Sequence, residues 1–143
     1  MGIRRKAREA VLQMLYQMDF SKDDSEDIVS TYWKGREVSD ELLFFSTDML
    51  KGIVEKMGQI DEEISGNSTN WKLSRMASVD KNILRMAVFE LLWRSDIPIK
   101  VTINEAVEIA KKFGSADSGA FVNGVLDNIA KDEKIKIAKK ETD

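Results

Sequence analysis

The chain is 143 residues long, 43% hydrophobic and 33% charged, with a formal net charge of −3 and neither cysteine nor histidine. That size and balance suit one globular domain rather than a disordered chain, and the missing residue types exclude disulfides, thiolate nucleophiles, histidine bases and the common zinc sites. A slightly acidic balance gives no overall attraction to nucleic acid, so any such role must come from local clustering.

No apolar run of the signal-peptide kind follows the basic start. No stretch reaches the ~18–20 apolar residues of a membrane span. The expected address is the cytoplasm, with no membrane partner.

Ile3 to Met18 reads as a helix, with Ala7, Ala10, Val11, Met14, Leu15 and Met18 at helical spacing. Arg4, Arg5, Lys6 and Arg8 crowd its first two turns, and no acid precedes Glu9. The positive pole of the helix dipole disfavours exposed cations there by a few tenths of a kcal/mol each. Such a cluster fits an anionic partner, for which backbone N–H groups and cations would converge. The plainer reading is a frayed, charged terminus that aids solubility. Tyr16, on the same helix, is either a half-buried core residue or a face for an unstacked base.

Asp19 to Asp27 is a polar connector, and Ser25 or Asp27 can start a short helix carrying Ile28, Val29, Tyr32 and Trp33, broken by Gly35. Ser39-Asp40-Glu41 opens one long amphipathic segment reaching Ile64. Ser65 to Asn70 is a loop, and Trp71 and Leu73 are core anchors leading into the next helix.

Val79 to Trp93 is apolar on most of its circumference and belongs in the middle of the fold. Ser78 is placed to cap it, and Pro98 stops it. Asp80, Arg85 and Glu90 advance by five and are expected on one limited sector, solvated or paired. Thr102 and Glu105 form a capping box for a helix that buries Ile103, Ala106, Val107 and Ala110 and ends at Gly114, a natural left-handed cap. Ser115 or Asp117 caps the last clear helix, where Gly119 and Gly124 suggest a close helix approach. Phe121 is either core or an exposed platform. The tail from Lys131 is expected to fray. The period is helical throughout: all-α, six or seven helices in one domain spanning 1–143, with sub-bundles at about 1–66 and 67–131 and a frayed 132–143.

No catalytic constellation is present. Gly114, Gly119 and Gly124 do not form a phosphate loop, and Asp61, Glu62 and Glu63, like Asp23 and Asp24, read as solvated carboxylates. No cofactor or metal is expected.

Three segments, RRKAREAVLQMLYQMD, VDKNILRMAVFELLWRSDIPIKVTINEAVEIAKKFG and SGAFVNGVLDNIA, carry a resemblance to the NusB family of bacterial transcription antitermination factors. The succession SDIP, INEAVEIAKKFG, FVNGVLD is its specific part. The resemblance implies two packed helical sub-bundles without enzymatic activity. It implies binding to single-stranded boxA RNA of ribosomal leader transcripts, jointly with NusE, a ribosomal small-subunit protein. Through that complex it implies indirect partnership with other Nus factors and RNA polymerase, and for some members self-pairing that masks the RNA surface. Carried onto this chain, the RNA-facing residues are Arg4, Arg5, Lys6, Arg8, Tyr16, Asp117, Ser118 and Phe121, and the NusE-facing ones Val79, Asp80 and Ile83. Ala120 stands where the family commonly has a basic residue, which removes a phosphate contact. Two rival readings are a helical adaptor or homodimer that binds only protein, and the targeting module of a ribosomal RNA methyltransferase. The chain offers neither a cofactor domain nor a cysteine for the latter.

Overall fold

A computed structural model describes residues 2–68 and 72–140. Trp71, expected as a core anchor, lies outside the described residues. Among them are eight α-helices and no strand: α1 Ile3–Phe20, α2 Ser25–Trp33, α3 Asp40–Glu55, α4 Met57–Asn67, α5 Ser78–Trp93, α6 Ile99–Phe113, α7 Ser118–Ala130 and α8 Glu133–Lys140, with a 3-10 turn at Leu73–Arg75 before α5. The all-α class holds, with one helix more than the sequence suggests.

The chain forms two compact units, Met1–Glu55 and Lys56–Asp143. The amphipathic segment from Asp40 to Ile64 is not one helix. It breaks at Lys56 (φ −105°, ψ 14°), where Gly52 and Gly58 on either side weaken helix propagation by roughly 1 kcal/mol each. The break assigns α4 to the second unit, where it packs on α5 and α7.

In the first unit α1 packs on α3 and α2, and Val11, Met14, Leu15, Ile28, Leu50 and Ile53 are buried. Asp24, rather than Ser25 or Asp27, caps α2: its carboxylate accepts the Asp27 N–H at 2.9 Å. Gly35, at φ +77°, makes the left-handed turn after it. Ser39 caps α3 through the Leu42 N–H at 3.1 Å, and Asp40 and Glu41 in the first turn suit the dipole.

In the second unit α5 is the buried rod, packed on α4, α6, α7 and α8. Its three charges do not share a sector. A step of five residues turns about 140° on a helix, so the three point to different sides. Arg85 makes a two-point bond to Asp61 of α4 (Nε–Oδ1 2.9 Å, Nη2–Oδ2 3.0 Å), so Asp61 is a partnered carboxylate, not a solvated one. Buried Glu90 accepts the Thr102 hydroxyl at 2.9 Å. That bond replaces the expected capping box, because α6 starts after Pro98, a turn ahead of Thr102. Ala77, not Ser78, occupies the cap position of α5.

Gly114 is required for space and not for handedness. Its φ is −96°, and a Cβ there would collide with Ser118 and meet the Ala110 carbonyl oxygen at 2.8 Å. Gly119 lets α7 approach Lys111 of α6, whose Cγ would lie 3.2 Å from a Cβ; Gly124 has open space. The tail folds as α8. Ile135 is buried, and the Lys139 ammonium donates to the carbonyls of Glu90 (3.0 Å), Arg94 (2.7 Å) and Ile97 (2.6 Å), a cation at the negative end of α5. Beneath α8, Glu63 of α4 is buried. Burial first, then its hydrogen bond to Asp132 and that residue's charge, push the Glu63 carboxyl up, while the same hydrogen bond holds Asp132 down.

Candidate nucleic-acid interface

The first turn of α1 holds no acid, and Gly2 supplies no side-chain cap. Around the helix, however, the cations fan over about 200°. Arg4 and Lys6 are exposed and Arg5 is half-exposed. Arg4 lies over the Phe45 ring of α3, 4.9 Å from its centroid. A cation over a ring face keeps its in-plane N–H groups for an anion. Arg5 has an interaction of its own within the fold.

Arg8 departs from the expectation. It is 6% exposed and engaged within the fold, so it is not a surface cation. The sequence held the signal: Arg8 shares its helix face with Leu12 and Leu15, four and seven residues on, both buried.

Tyr16 is 44% exposed, so part of its ring is open at the surface. Its ring lies 5.0 Å from that of Phe20 at 55°, and Phe20 is 71% exposed. The sequence reading missed Phe20, although a residue four on from Tyr16 must share its face. Arg5 stands three turns back on the same face, about 16 Å along the axis. One side of α1 therefore offers a cation at its start and an exposed aromatic pair at its end.

In the second unit, Ser118 is buried and its Oγ accepts the Ser115 N–H at 2.9 Å. It builds the α6–α7 turn and is not itself a surface contact. Asp117 is exposed and Phe121 half-exposed. Both line a cavity of about 290 Å³ together with Arg75, Met76 and Asp80. Two patches that the resemblance keeps separate, Asp117 with Phe121 for RNA and Asp80 for protein, thus meet in one concavity. Asp80 Oδ1 is buried there without a hydrogen-bond partner. Val79 is half-buried, and Ile83 is fully buried in α5, which removes it from any docking surface.

Among the described residues no group of three or more acidic, cysteine or histidine side chains is placed to hold a metal, and no helix is long and apolar enough to cross a membrane.

Fold and surface together define a class: an all-helical protein of two units whose distinctive surface is cationic and aromatic. Residues 5–131 match the model of the NusB family, and the chain belongs to that family. It is 51% identical over 128 residues to the transcription antitermination protein NusB of Anaeromyxobacter dehalogenans, covering 89% of each chain. The structure of T. maritima NusB is similar at a TM-score of 0.84 and 41% identity, over 96% of this chain and 94% of that one. A structure of antitermination factors NusB and NusE in complex with dsRNA is similar in fold, at a TM-score of 0.83 and 23% identity, over 92% of this chain and 98% of that one. Helix α8 begins beyond the family match.

Proposed function

We propose that this protein is an RNA-binding transcription antitermination factor. It binds the single-stranded boxA element of ribosomal RNA leaders together with NusE, and through that complex acts on RNA polymerase with other Nus factors. Its role is one of contact and not of catalysis, and its place is the cytoplasm, where transcripts emerge. The chain is 51% identical over 128 residues to the antitermination protein of A. dehalogenans and shares its fold with a chain found in complex with RNA; both likenesses support this reading.

The observation that carries it is the start of α1, where Arg4 and Lys6 are exposed at the pole of a helix whose first turn has no acid. Arg4, Arg5 and Lys6 attract the RNA backbone, while Tyr16 and Phe20 offer faces to unstacked bases. With Arg8 in the core, three α1 cations remain for phosphate. Log K should then fall with log salt by about 0.7 for each, near −2 in all. Phe121, with Asp117 beside it, contributes separately in the second unit. Of the expected NusE contacts, Val79 and Asp80 remain.

Titration of a labelled boxA-like oligonucleotide against a scrambled one, with and without NusE, tests the reading. Arg4→Ala with Arg5→Ala should weaken both RNAs alike, whereas Phe121→Ala should also erode the preference between them. Failure of both RNAs to bind at moderate salt, even with NusE, would overturn it.

A further inference from the structure

We propose that the groove between α2 and α3 in the first unit docks a basic amphipathic helix of a protein partner. An apolar residue of that helix seats on Phe44, between lysine or arginine side chains paired with Asp40 and Asp48. The surface is separate from the residues assigned to RNA, since α1 and the α6–α7 turn supply none of its lining.

The first support is the groove itself. It holds about 580 Å³ and is floored by Val29 of α2 and by Leu43, Phe44 and Thr47 of α3, within the ~300–1,000 Å³ of concave binding sites. Phe44 is 66% exposed beside half-buried Val29 and Leu43, so apolar surface is left uncovered. Thr47 adds an unmet polar group. Its Oγ1 is buried and has no hydrogen-bond partner, a cost that a polar group of a docked chain removes.

The second support is charge. Asp40 and Asp48 stand four residues before and after Phe44, each within about 40° of it around α3 and about 12 Å apart along the axis. Both are exposed and line the groove. Asp48 has an interaction within the fold, and a carboxylate has lone pairs for a second donor. One turn before Val29, Glu26 and Asp27 are exposed, and the charge of Asp24, foremost, pushes the Asp27 carboxyl up. The field around the start of α2 is therefore negative too. Lys51, seven residues beyond Phe44 and on its face, makes the far end of the stripe positive. The complement is a pair of cations eight residues apart with an apolar residue midway, not a longer basic run.

Other occupants fit less well. RNA phosphates would meet Asp40 and Asp48 as like charges. A second copy of this chain lacks the complement. Its exposed large apolar residues, among those described, are Tyr16, Phe20, Phe44, Val101 and Ile137, and none has a basic residue four positions to either side.

The test uses fluorescence polarisation of three labelled, stapled helical peptides against the full chain. The first carries a leucine with a lysine four positions to either side. The second has glutamates in place of the lysines. The third keeps the first's composition but sets the lysines two positions from the leucine, on the opposite face. At moderate salt the first should bind about tenfold more tightly than either of the others, the effect of two ion pairs at the rim. Phe44→Ser should weaken the first peptide about tenfold with Tm unchanged, because the ring is exposed. Asp40→Lys with Asp48→Lys should reverse the preference in favour of the glutamate peptide. Asp48→Asn, which keeps the shape, should narrow the preference to about threefold and serves if the double variant fails to fold. Equal binding of the first and third peptides would reveal only a general attraction of cations and overturns the groove. A lysine preference that survives the charge reversal overturns it as well. Self-association in sedimentation that Phe44→Ser abolishes would give the groove to a second copy instead. No binding of any peptide overturns the proposal and leaves the RNA-binding reading intact.

Discussion

Helices α1 and α5 both carry charge inside largely apolar sequences, and they dispose of it differently. On α5, Arg85 and Glu90 bond to α4 and α6 within the second unit, so their charge holds helices together. On α1, Arg4 and Lys6 stay exposed at an acid-free helix start, where the field of the helix opposes them. A charge inside an apolar helix does not announce its role by its type. The role follows from the face on which the charge falls and from what packs there.

The difference between the helices predicts opposite mutational signatures. Arg85→Ala strands Asp61 in a site where the two side chains are 11% and 26% exposed. Urea unfolding should show a loss of about 2–3 kcal/mol, below the ~3–5 kcal/mol of a fully buried pair. Lys139→Ala removes three charge-assisted bonds to carbonyls at the end of α5 and in the turn after it. With partial rehydration of the carbonyls the loss is about 1–2 kcal/mol, read as faster hydrogen exchange across α8. Arg4→Gln combined with Lys6→Gln should leave stability within about 0.5 kcal/mol and weaken RNA binding roughly tenfold at moderate salt. A large stability loss in that double variant would erase the contrast between the helices.

The smallest expected effect is that of pH on the second unit. The Glu63 carboxyl sits above its ordinary value near 4.5 when folded, so the native state keeps a proton that the unfolded chain releases. Its contribution is complete below that ordinary value and is lost as pH rises through the raised one. Asp132, held below 3.8, acts in reverse and loses its contribution as pH falls through its lowered value. The Glu63 contribution to the urea midpoint should therefore decline as pH rises above its ordinary value near 4.5, and Glu63→Gln should flatten that decline.

Most of the helical framework was legible because 3.6-residue periodicity survives in every long helix. The all-α class, the central place of Val79–Trp93 and the basic start of α1 all follow from it. What was misread depended on angles around a helix or on partners remote in sequence. Arg8 lies four and seven residues from buried Leu12 and Leu15, and Phe20 four from exposed Tyr16, so both placements were within reach of the same periodicity. Asp80, Arg85 and Glu90 point to three sectors and not one, because a five-residue step turns about 140°. Thr102 looked like a cap by spacing alone, but Pro98 had already opened the helix. By contrast, nothing local foretells that Lys139 reaches carbonyls at Glu90, Arg94 and Ile97, or that Asp80 and Phe121, 41 residues apart in number, share one cavity.

The central claim is that the α1 cations hold RNA phosphates, and the salt dependence of binding tests it most directly. RNA affinity should be measured from low to moderate salt for the protein and for a variant with Arg4, Arg5 and Lys6 changed to glutamine. The slope of log K against log salt should be flatter by about 2 in the variant, near 0.7 for each lost contact. The same slope in both proteins would show that these side chains neutralise no phosphate, and the account of α1 would fail.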